Sequence, residues 1–311
     1  MSKFKKNFSL LLTVGRFYSI PISILSWSIP FVYSLLKEGN ISYGLLALIG
    51  IVFIQMGVNS FDDVIDYIKE KREIDRGLKK DFDFQEGKCI CLLNGSLNLK
   101  QYEIISFCYF GIGLLIGIFF FNLYGIELLK IIIPSALLCI LYPFCSYLGL
   151  GEIVVGIIYA PLLYFGVNYV MCGNYDFKIL IYAVSTALLT IGILHNHMLL
   201  DFKIDTSSRK ITLCRLVKTE KNALILLFLL ILIAYFNLIS IIKINNNNLI
   251  YLLPLLSLPN AIILLKEMNK HIESKEEITK EEFIKKFLLP QKLLIIFSLL
   301  LGLSMILDKT I

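Results

Sequence analysis

The sequence predicts an all-α membrane protein, a polytopic bundle of nine transmembrane helices with a cytoplasmic N-terminus. Two properties of its 311 residues favour this class: 57% are hydrophobic, and the mean hydropathy is +0.76. Both values are too apolar for a soluble globular protein of this size. Charged residues make up only 17% and are concentrated in a few blocks that separate long apolar runs. We therefore expect these runs to cross a bilayer.

Nine apolar runs are close to the length that a helix needs to span a bilayer, about 20 residues. They cover 17–37, 43–61, 103–125, 126–147, 152–172, 177–199, 221–243, 249–266 and 291–308. The first run is long enough to be a span, and no small-residue cleavage site follows it, so we expect no cleavable signal peptide. No soluble domain is expected beside the spans. We predict that residues 1–311 form a single transmembrane domain.

The distribution of lysine and arginine predicts the orientation of these spans. With the N-terminal tail inside, 25 of the 30 basic residues fall on the inner side. This asymmetry predicts a cell-membrane protein with a cytoplasmic N-terminus, independently of hydropathy. It also accounts for the net charge of +6, so we expect no nucleic-acid partner.

Two inner loops carry much of the remaining charge. The loop at 67–102 contains glycine breakers such as Gly77, which predict short helices and turns. The loop at 267–290 has the mixed charge of a surface helix. Pro290 predicts that this helix stops before the last span.

A cluster of acidic residues lies at the end of the second apolar run. Its members are spaced at i, i+3, i+4 and i+7, which is one face of a helix. They are Asn59, Asp62, Asp63 and Asp66. Charged side chains at membrane depth cost about a few kcal/mol each and are commonly kept for ions or substrates. Carboxylate oxygens with one amide suit Mg²⁺, which relieves the repulsion between them.

A second acidic pair, Asp201 and Asp205, follows the sixth apolar run one helical turn apart. Five carboxylates at the inner ends of two spans favour a divalent-metal site over ordinary solvated loop positions. A transporter with an acidic cation pathway is the alternative from another functional class. It predicts carboxylates near the middle of the membrane, whereas these lie at the ends of spans.

Basic residues follow each acidic group, as a diphosphate site requires. Lys69 and Arg72 follow the first group, and Lys210 follows the second. Cations neutralise the charge that grows on a departing diphosphate. A diphosphate at the membrane face with a long apolar tail is an isoprenyl diphosphate, and aromatic side chains of the spans, such as Tyr142, suit an allylic cation. The positive-inside rule also supplies basic residues here, so their individual roles stay open.

Two histidines precede the second acidic pair. His195 and His197 flank Asn196, within two turns of Asp201. A base toward an acceptor hydroxyl or a carbocation proton is one role for such histidines. A hydrogen bond to a neighbouring helix is the other, and the sequence leaves both open.

The chain resembles the UbiA superfamily of intramembrane prenyltransferases over nearly its whole length. Three segments in chain order carry the resemblance. They are the aspartate-rich stretch 59–67, the second acidic stretch 201–213 with its Lys210-x-Thr212-Leu213 tail, and Tyr142-Pro143 with Gly149-Leu150-Gly151-Glu152. The last of these resembles the 1,4-dihydroxy-2-naphthoate prenyltransferase (MenA-like) branch. Arg16 stands where that branch has an arginine before its first span.

The resemblance implies Mg²⁺-dependent ionisation of an isoprenyl diphosphate on the cytoplasmic side. The cation is then captured by an aromatic acceptor such as 1,4-dihydroxy-2-naphthoate, a step of menaquinone biosynthesis. The residues implied to hold metal and diphosphate, with the five aspartates as metal ligands, are Asn59, Asp62, Asp63, Asp66, Asp201 and Asp205. With the basic residues above, the substrate-binding set is Arg16, Lys69, Arg72, Tyr142, Asn196 and Lys210.

Departures from the branch keep a second function open. Its cationic residue between the Tyr-Pro and Gly-Leu-Gly-Glu elements is missing, because 144–148, which includes Ser146, holds no lysine or arginine. Leu200 stands where the branch commonly has an arginine. Asp62 replaces a frequent asparagine and creates the Asp-Asp-x-x-Asp motif of terpene synthases. The alternative is a UbiA-type terpene cyclase, which captures the cation intramolecularly and needs no aromatic acceptor.

Overall fold

The computed structural model describes residues 3–82, 88–202, 211–274 and 279–308. Of the described residues, 85% are helical and none forms a strand, which confirms an all-α membrane bundle. The helices are α1 (Lys3–Val14), α2 (Ile20–Leu36), α3 (Ile41–Asp75), α4 (Ile90–Leu93), α5 (Leu99–Tyr124), α6 (Leu129–Ser146), α7 (Gly151–Ile157), α8 (Leu163–Cys172), α9 (Ile179–Leu200), α10 (Leu213–Leu216), α11 (Glu220–Ile244), α12 (Leu258–Glu273) and α13 (Lys280–Leu307). Short 3₁₀ segments at Phe17–Ser19, Gly125–Leu128 and Leu249–Ser257 and a π-helical turn at Ile158–Leu162 connect some of them.

Eight helical stretches of the described chain are long and apolar enough to cross a membrane. One of them, Leu99–Ser146, has 48 residues. A straight α-helix of that length would be about 72 Å long, more than twice a bilayer core. The 3₁₀ turn at Gly125–Leu128 interrupts this stretch, between the runs predicted at 103–125 and 126–147. The count of nine spans and the side of the N-terminus stay predictions.

The chain forms two compact units, which we describe separately. The first comprises residues 1–23 and 45–129, and the second comprises 24–44 and 130–311. The core of the first unit is built from α1, α3, α4 and α5, with buried residues that include Val14, Met56, Val64, Cys89, Tyr102 and Tyr109. The prediction of one domain over 1–311 stays a prediction.

Helix α3 determines where the first acidic group lies. It continues without a break from Ile41 to Asp75, well past the predicted end of the apolar run at 61. Short elements follow in the predicted loop, among them the single turn of α4, while 83–87 lie outside the described residues. The acidic group therefore lies on a regular helix, and the spacing read from the sequence applies to it.

Helix α9 is the centre of the second unit. The apolar window of α9 is 61% buried, the largest share among the candidate spans of the described chain, and it packs against α7, α11 and α13. Polar side chains join it to its neighbours: Ser185 donates to the Ala234 carbonyl at 2.8 Å, and the Tyr164 hydroxyl donates to Thr186 at 2.7 Å. Such interhelical hydrogen bonds stabilise helix packing in membranes.

The predicted stop at Pro290 is wrong, because Pro290 lies inside α13. A proline in a helix leaves the carbonyl four residues earlier without its usual donor. Here that carbonyl belongs to Lys286, and the Asn196 side chain of α9 donates to it at 3.3 Å. A neighbouring helix thus satisfies the freed group, as membrane helices allow. The predicted mixed-charge helix also divides, since α12 ends at Glu273 and α13 begins at Lys280, with 275–278 outside the described residues.

Candidate functional site

The three aspartates of the first acidic group are almost completely buried within the first unit. Asp62 and Asp63 are each 1% exposed and Asp66 is 6% exposed. A buried carboxylate is expensive unless it is paired and hydrogen-bonded. Each of these side chains therefore needs partners from other elements of the unit, and two basic residues provide them.

Arg16 is the first of these partners. It follows α1 in a left-handed conformation with φ 50°, and its guanidinium contacts Asp63 and lies 3.3 Å from Asp62 Oδ2. Burial opposes the charged form of Arg16, but the neighbouring Asp63 and Asp62 outweigh it and hold the pKa of Arg16 well above its ordinary value. The guanidinium is thus a fixed positive charge against the carboxylates.

Lys88 is the second partner, and sequence reasoning did not find it. Its Nζ lies 3.0 Å from Asp62 Oδ2 and 2.6 Å from Asp66 Oδ2. Burial alone would lower its pKa, yet Asp62 and Asp66 raise the pKa of Lys88 well above the ordinary value. Nothing in the motif spacing signals this residue, because it follows the aspartates only after a charged loop.

Asp63 connects three elements of the first unit. Its Oδ2 accepts a hydrogen bond from the Tyr102 hydroxyl of α5 at 2.7 Å and another from the Cys89 backbone N–H at 3.2 Å. Its other oxygen contacts Arg16. Burial, followed by the nearby Asp63 charge, raises the pKa of the Cys89 thiol, so this thiol stays protonated near neutral pH.

Asn59 lies one turn before the aspartates and orients the segment that carries Arg16. Its Nδ2 donates to the Gly15 carbonyl at 3.3 Å and to Ser19 Oγ at 3.0 Å. Gln55, one turn earlier, donates to the Ser19 carbonyl at 3.0 Å. These amides fix the turn between α1 and α2, which places the Arg16 guanidinium on the carboxylates.

The predicted basic residues Lys69 and Arg72 lie farther along α3. Lys69 is half-buried, and Arg72 is exposed in the last turn of the helix. The structure therefore brings Arg16 and Lys88 onto the aspartates and places Arg72 in an exposed position.

In the second unit, Asp201 lies at the end of α9. It is 6% exposed, and its Oδ2 lies 3.2 Å from His197 Nε2. Asp205 and Lys210 lie outside the described residues. The predicted helical pairing of Asp201 with Asp205 is therefore not described.

Two other predicted residues of α9 are fully buried. Besides its bond to Lys286, Asn196 has an Oδ1 with no hydrogen-bond partner within the described chain. His195 Nε2 lies 2.9 Å from the Ala223 carbonyl, and the Cys214 sulfur lies 3.4 Å from its Nδ1. These contacts favour a structural role for His195 over a role as a catalytic base.

Tyr142 lies elsewhere in the second unit, as do Ser146 and Leu200, the uncharged residues at positions where the MenA-like branch has cations. Tyr142 is half-buried on α6. Ser146 ends the same helix and is buried, with its hydroxyl donating to the Pro143 carbonyl at 2.7 Å. Leu200 is buried at the end of α9.

Comparison with known proteins identifies the family of the chain. A model of the UbiA prenyltransferase family matches residues 22–285. The chain belongs to the UbiA prenyltransferase family. It is therefore a multi-pass membrane protein of a family of prenyltransferases. None of the curated proteins matches the sequence.

Solved structures of UbiA proteins share the fold along nearly the whole chain. A digeranylgeranylglyceryl phosphate synthase is 19% identical with a TM-score of 0.65, covering 97% of this chain and 99% of that one. A UbiA homolog from Aeropyrum pernix K1 is 17% identical with a TM-score of 0.64, covering 92% and 98%. One from Archaeoglobus fulgidus, bound to GPP and Mg²⁺, is 12% identical with a TM-score of 0.64, covering 94% and 99%.

Proposed function

We propose that this chain transfers an isoprenyl group from an isoprenyl diphosphate to an aromatic acceptor such as 1,4-dihydroxy-2-naphthoate, with Mg²⁺ as cofactor. The observation that carries the proposal is the buried cluster of Asp62, Asp63 and Asp66 with Arg16 and Lys88. Buried acidic groups with adjacent fixed cations are what a metal–diphosphate complex requires. The A. fulgidus homolog bound to GPP and Mg²⁺ supports the same ligand class.

The donor chemistry of the acidic group fits Mg²⁺. The carboxylates offer only oxygen atoms, on one face of a rigid helix, and Mg²⁺ is held in proteins by a few carboxylates together with water and phosphate. No group of three acidic, histidine or cysteine side chains is already arranged as a metal site in the described chain. We assign Asp62, Asp63 and Asp66 to the metal from their place in the cluster. Asp201 and Asp205 are assigned by the resemblance of their motif.

Bound Mg²⁺ would neutralise the diphosphate as its bond to the isoprenyl carbon breaks. Arg16 and Lys88 now contact carboxylates and would turn toward phosphate oxygens when a diphosphate arrives, since both stay charged. Lys69, Arg72 and Lys210 are further candidates for this role. The carbon–oxygen bond breaks with its electron pair leaving on the diphosphate.

The acceptor completes the reaction. Its aromatic carbon forms a bond to the allylic cation, and the same carbon then loses its proton. Tyr142 and Asn196 are the residues we assign to the acceptor, Tyr142 for its aromatic ring and Asn196 because its buried Oδ1 accepts no hydrogen bond within the described chain. The Gly-Leu-Gly-Glu segment at 149–152 supports the dihydroxynaphthoate branch.

A terpene cyclase is the second candidate function. It is favoured by the Asp-Asp-x-x-Asp pattern of Asp62, Asp63 and Asp66 and by the uncharged residues Ser146 and Leu200. In a cyclase the same ionisation occurs, and a double bond of the isoprenyl chain captures the cation. We place either reaction at the cytoplasmic face of the cell membrane, on the distribution of basic residues.

Product analysis separates the two functions. Purified protein in detergent with Mg²⁺ is incubated with farnesyl or geranylgeranyl diphosphate, with and without 1,4-dihydroxy-2-naphthoate. We expect a prenylated naphthoquinol only when the acceptor is present. A cyclic terpene formed without acceptor would instead establish the cyclase, and no diphosphate release in either tube would refute both.

A further inference from the structure

A cavity of about 380 Å³ lies in the second unit, before the start of α9. It is formed by the connection from α2 to α3 and the connection from α8 to α9, whereas Asp201 follows the other end of α9. Small-molecule sites in proteins have volumes of roughly 300–1,000 Å³, so this cavity is large enough for a small polar ligand. The lining residues that bear on its chemistry are Lys37, Glu38, Asn174, Tyr175 and Asp176.

Backbone contacts hold the two connections against each other. The Asn40 N–H donates to the Met171 carbonyl at 2.9 Å. At Gly39, a Cβ would lie 2.7 Å from the Ser34 carbonyl oxygen and 3.1 Å from Cys172 Sγ. A side chain at position 39 would therefore push the connections apart. The cavity is thus a fixed part of the fold of this unit.

Lys37 and Asp176 form one wall of the cavity. The Lys37 ammonium contacts Asp176 Oδ2, and the buried Tyr33 hydroxyl donates to the same oxygen at 2.7 Å. Burial opposes ionisation of Asp176, but the hydrogen bonds from Lys37 and Tyr33 outweigh it and lower the pKa of Asp176. An ammonium group has three N–H donors. Lys37 can therefore bind a second anionic oxygen without leaving Asp176.

Glu38 supplies the other charge of the cavity. It is exposed, and its carboxylate has no ion pair or hydrogen bond within the described chain. Tyr175, another lining residue, has its ring 4.5 Å from the ring of Tyr169. A carboxylate near an aromatic ring suits an ammonium group, which it binds by a charge-assisted hydrogen bond and by cation–π attraction. The cavity therefore offers a cation for an anionic group and a carboxylate for a cationic one.

The surface next to these residues is apolar. Leu35 is 40% exposed and Phe177 is 69% exposed. The Phe165 ring lies 5.3 Å from the ring of Phe177 and 6.1 Å from that of Tyr175. The spans predicted at 17–37 and 152–172 end here, and aromatic residues concentrate at the ends of spans, at the level of the lipid headgroups. The basic-residue distribution predicts that this is the outer face of the membrane.

We propose that this cavity binds the headgroup of a phospholipid that carries both a phosphate and a primary ammonium group, as phosphatidylethanolamine does. Lys37 binds the phosphate, Glu38 accepts the N–H donors of the ammonium group, and the acyl chains lie against Leu35 and Phe177. A choline headgroup has no N–H to donate, and a glycerol headgroup has no positive charge. The site is independent of the proposed reaction, since no residue assigned to that reaction lines the cavity.

Native mass spectrometry of the purified protein tests the choice of headgroup. The protein in detergent is titrated with phosphatidylethanolamine, phosphatidylcholine and phosphatidylglycerol that carry the same acyl chains. We expect phosphatidylethanolamine to bind about tenfold more tightly than the other two, since hydrogen bonds to charged groups contribute about 1.5–3 kcal/mol each. Equal binding of the three lipids would overturn the proposal. Displacement of the lipid by an equal concentration of soluble phosphoethanolamine would overturn the choice of a lipid as the source of the headgroup.

Two variants and a control locate the binding. Glu38→Gln should abolish the preference for phosphatidylethanolamine over phosphatidylcholine, and it removes no ion pair within the described chain. Lys37→Met should weaken all three lipids about tenfold, because all three carry the phosphate. Lys243→Met is the control, because Lys243 is an exposed lysine in the last turn of α11, on the same predicted side but outside the cavity. A preference that survives Glu38→Gln would overturn the proposal, as would equal weakening by Lys37→Met and Lys243→Met.

Discussion

The two acidic motifs, each within its own unit, are stabilised in different ways. Asp62, Asp63 and Asp66 are matched by fixed cations from outside α3. Asp201 is paired with a histidine of its own helix, and the chain after its motif is attached by the Leu213 amide, which donates to Glu152, and by the Cys214 thiol. Among the described residues, the first motif is thus stabilised by fixed cations, whereas the chain after the second motif is held by hydrogen bonds to the backbone.

This difference predicts how each motif responds to substitution. Removing one partner of a buried ion pair leaves the other charge buried and uncompensated, which costs more than the pair contributed. Removing one hydrogen bond has a smaller effect. Changes in the first motif should therefore reduce stability and activity together, whereas changes in the second can reduce activity with less loss of stability.

The largest effect is expected for Asp63→Ala. It leaves the Arg16 guanidinium, the Tyr102 hydroxyl and the Cys89 amide without their shared acceptor. We expect no measurable turnover and a loss of about 3–5 kcal/mol in the free energy of unfolding. Thermal unfolding in detergent and diphosphate release measure the two effects.

Asp201→Ala is the counterpart in the second unit. We expect turnover to be lost here as well, but stability to fall by only about 1–2 kcal/mol. Equal losses of stability in the two variants would contradict the distinction between the motifs.

Lys88→Met should impair diphosphate binding and, because it leaves Asp62 and Asp66 without this cation, also lower the stability of the protein. Loss of a buried charge pair typically costs 2–5 kcal/mol, so we expect the KM for the diphosphate to rise about 30-fold or more. Lys79→Met is the control, because Lys79 pairs with Glu70 at 3.1 Å in a more exposed position. Exposed pairs contribute about 0–1 kcal/mol. A lower KM in Lys88→Met would mean that Lys88 obstructs the site.

Arg16→Lys keeps the positive charge and tests whether the geometry of the guanidinium matters. One guanidinium nitrogen of Arg16 contacts both Asp62 and Asp63, and lysine has neither the planar head nor its donor geometry. We expect the KM for the diphosphate to rise about fivefold to tenfold, with little change in the unfolding temperature. A KM equal to that of the unmodified protein would show that position 16 needs only a positive charge.

Pro290→Ala should have the smallest effect. It returns a backbone N–H to the Lys286 carbonyl, which Asn196 now satisfies. We expect the free energy of unfolding to change by about 1 kcal/mol or less, because one donor replaces another. Asn196→Leu should then destabilise the unmodified protein more than the Pro290→Ala variant. Additive effects in this double-mutant cycle would show that the two donors do not share the carbonyl.

Local patterns were sufficient to predict the first acidic face. The spacing of Asn59, Asp62, Asp63 and Asp66 required only a helix, and α3 continues through all four residues. Apolar runs likewise predicted the spans, since burial in lipid depends on composition and length. Both features depend only on residues that are close together in the sequence.

Contacts between distant segments were not predictable from these patterns. Lys88 is one of several lysines in a basic loop, and no spacing rule distinguishes it from Lys79. The helix stop predicted at Pro290 was wrong because Asn196, which lies on another helix, donates to the carbonyl that the proline leaves without a partner. Glu152 was recognised only as part of a motif, and its partner is a backbone amide that carries no sequence signal.

The continuity of α3 links the chemistry to the thickness of the membrane. Its 35 residues form one helix of about 52 Å, in which the apolar part from Ile41 and the aspartates belong to the same rod. A thicker bilayer draws such a helix inward or changes its tilt, and a thinner bilayer has the opposite effect. We therefore expect lipid chain length to change the depth of Asp62, Asp63 and Asp66 in the membrane, and with it the rate of the proposed reaction.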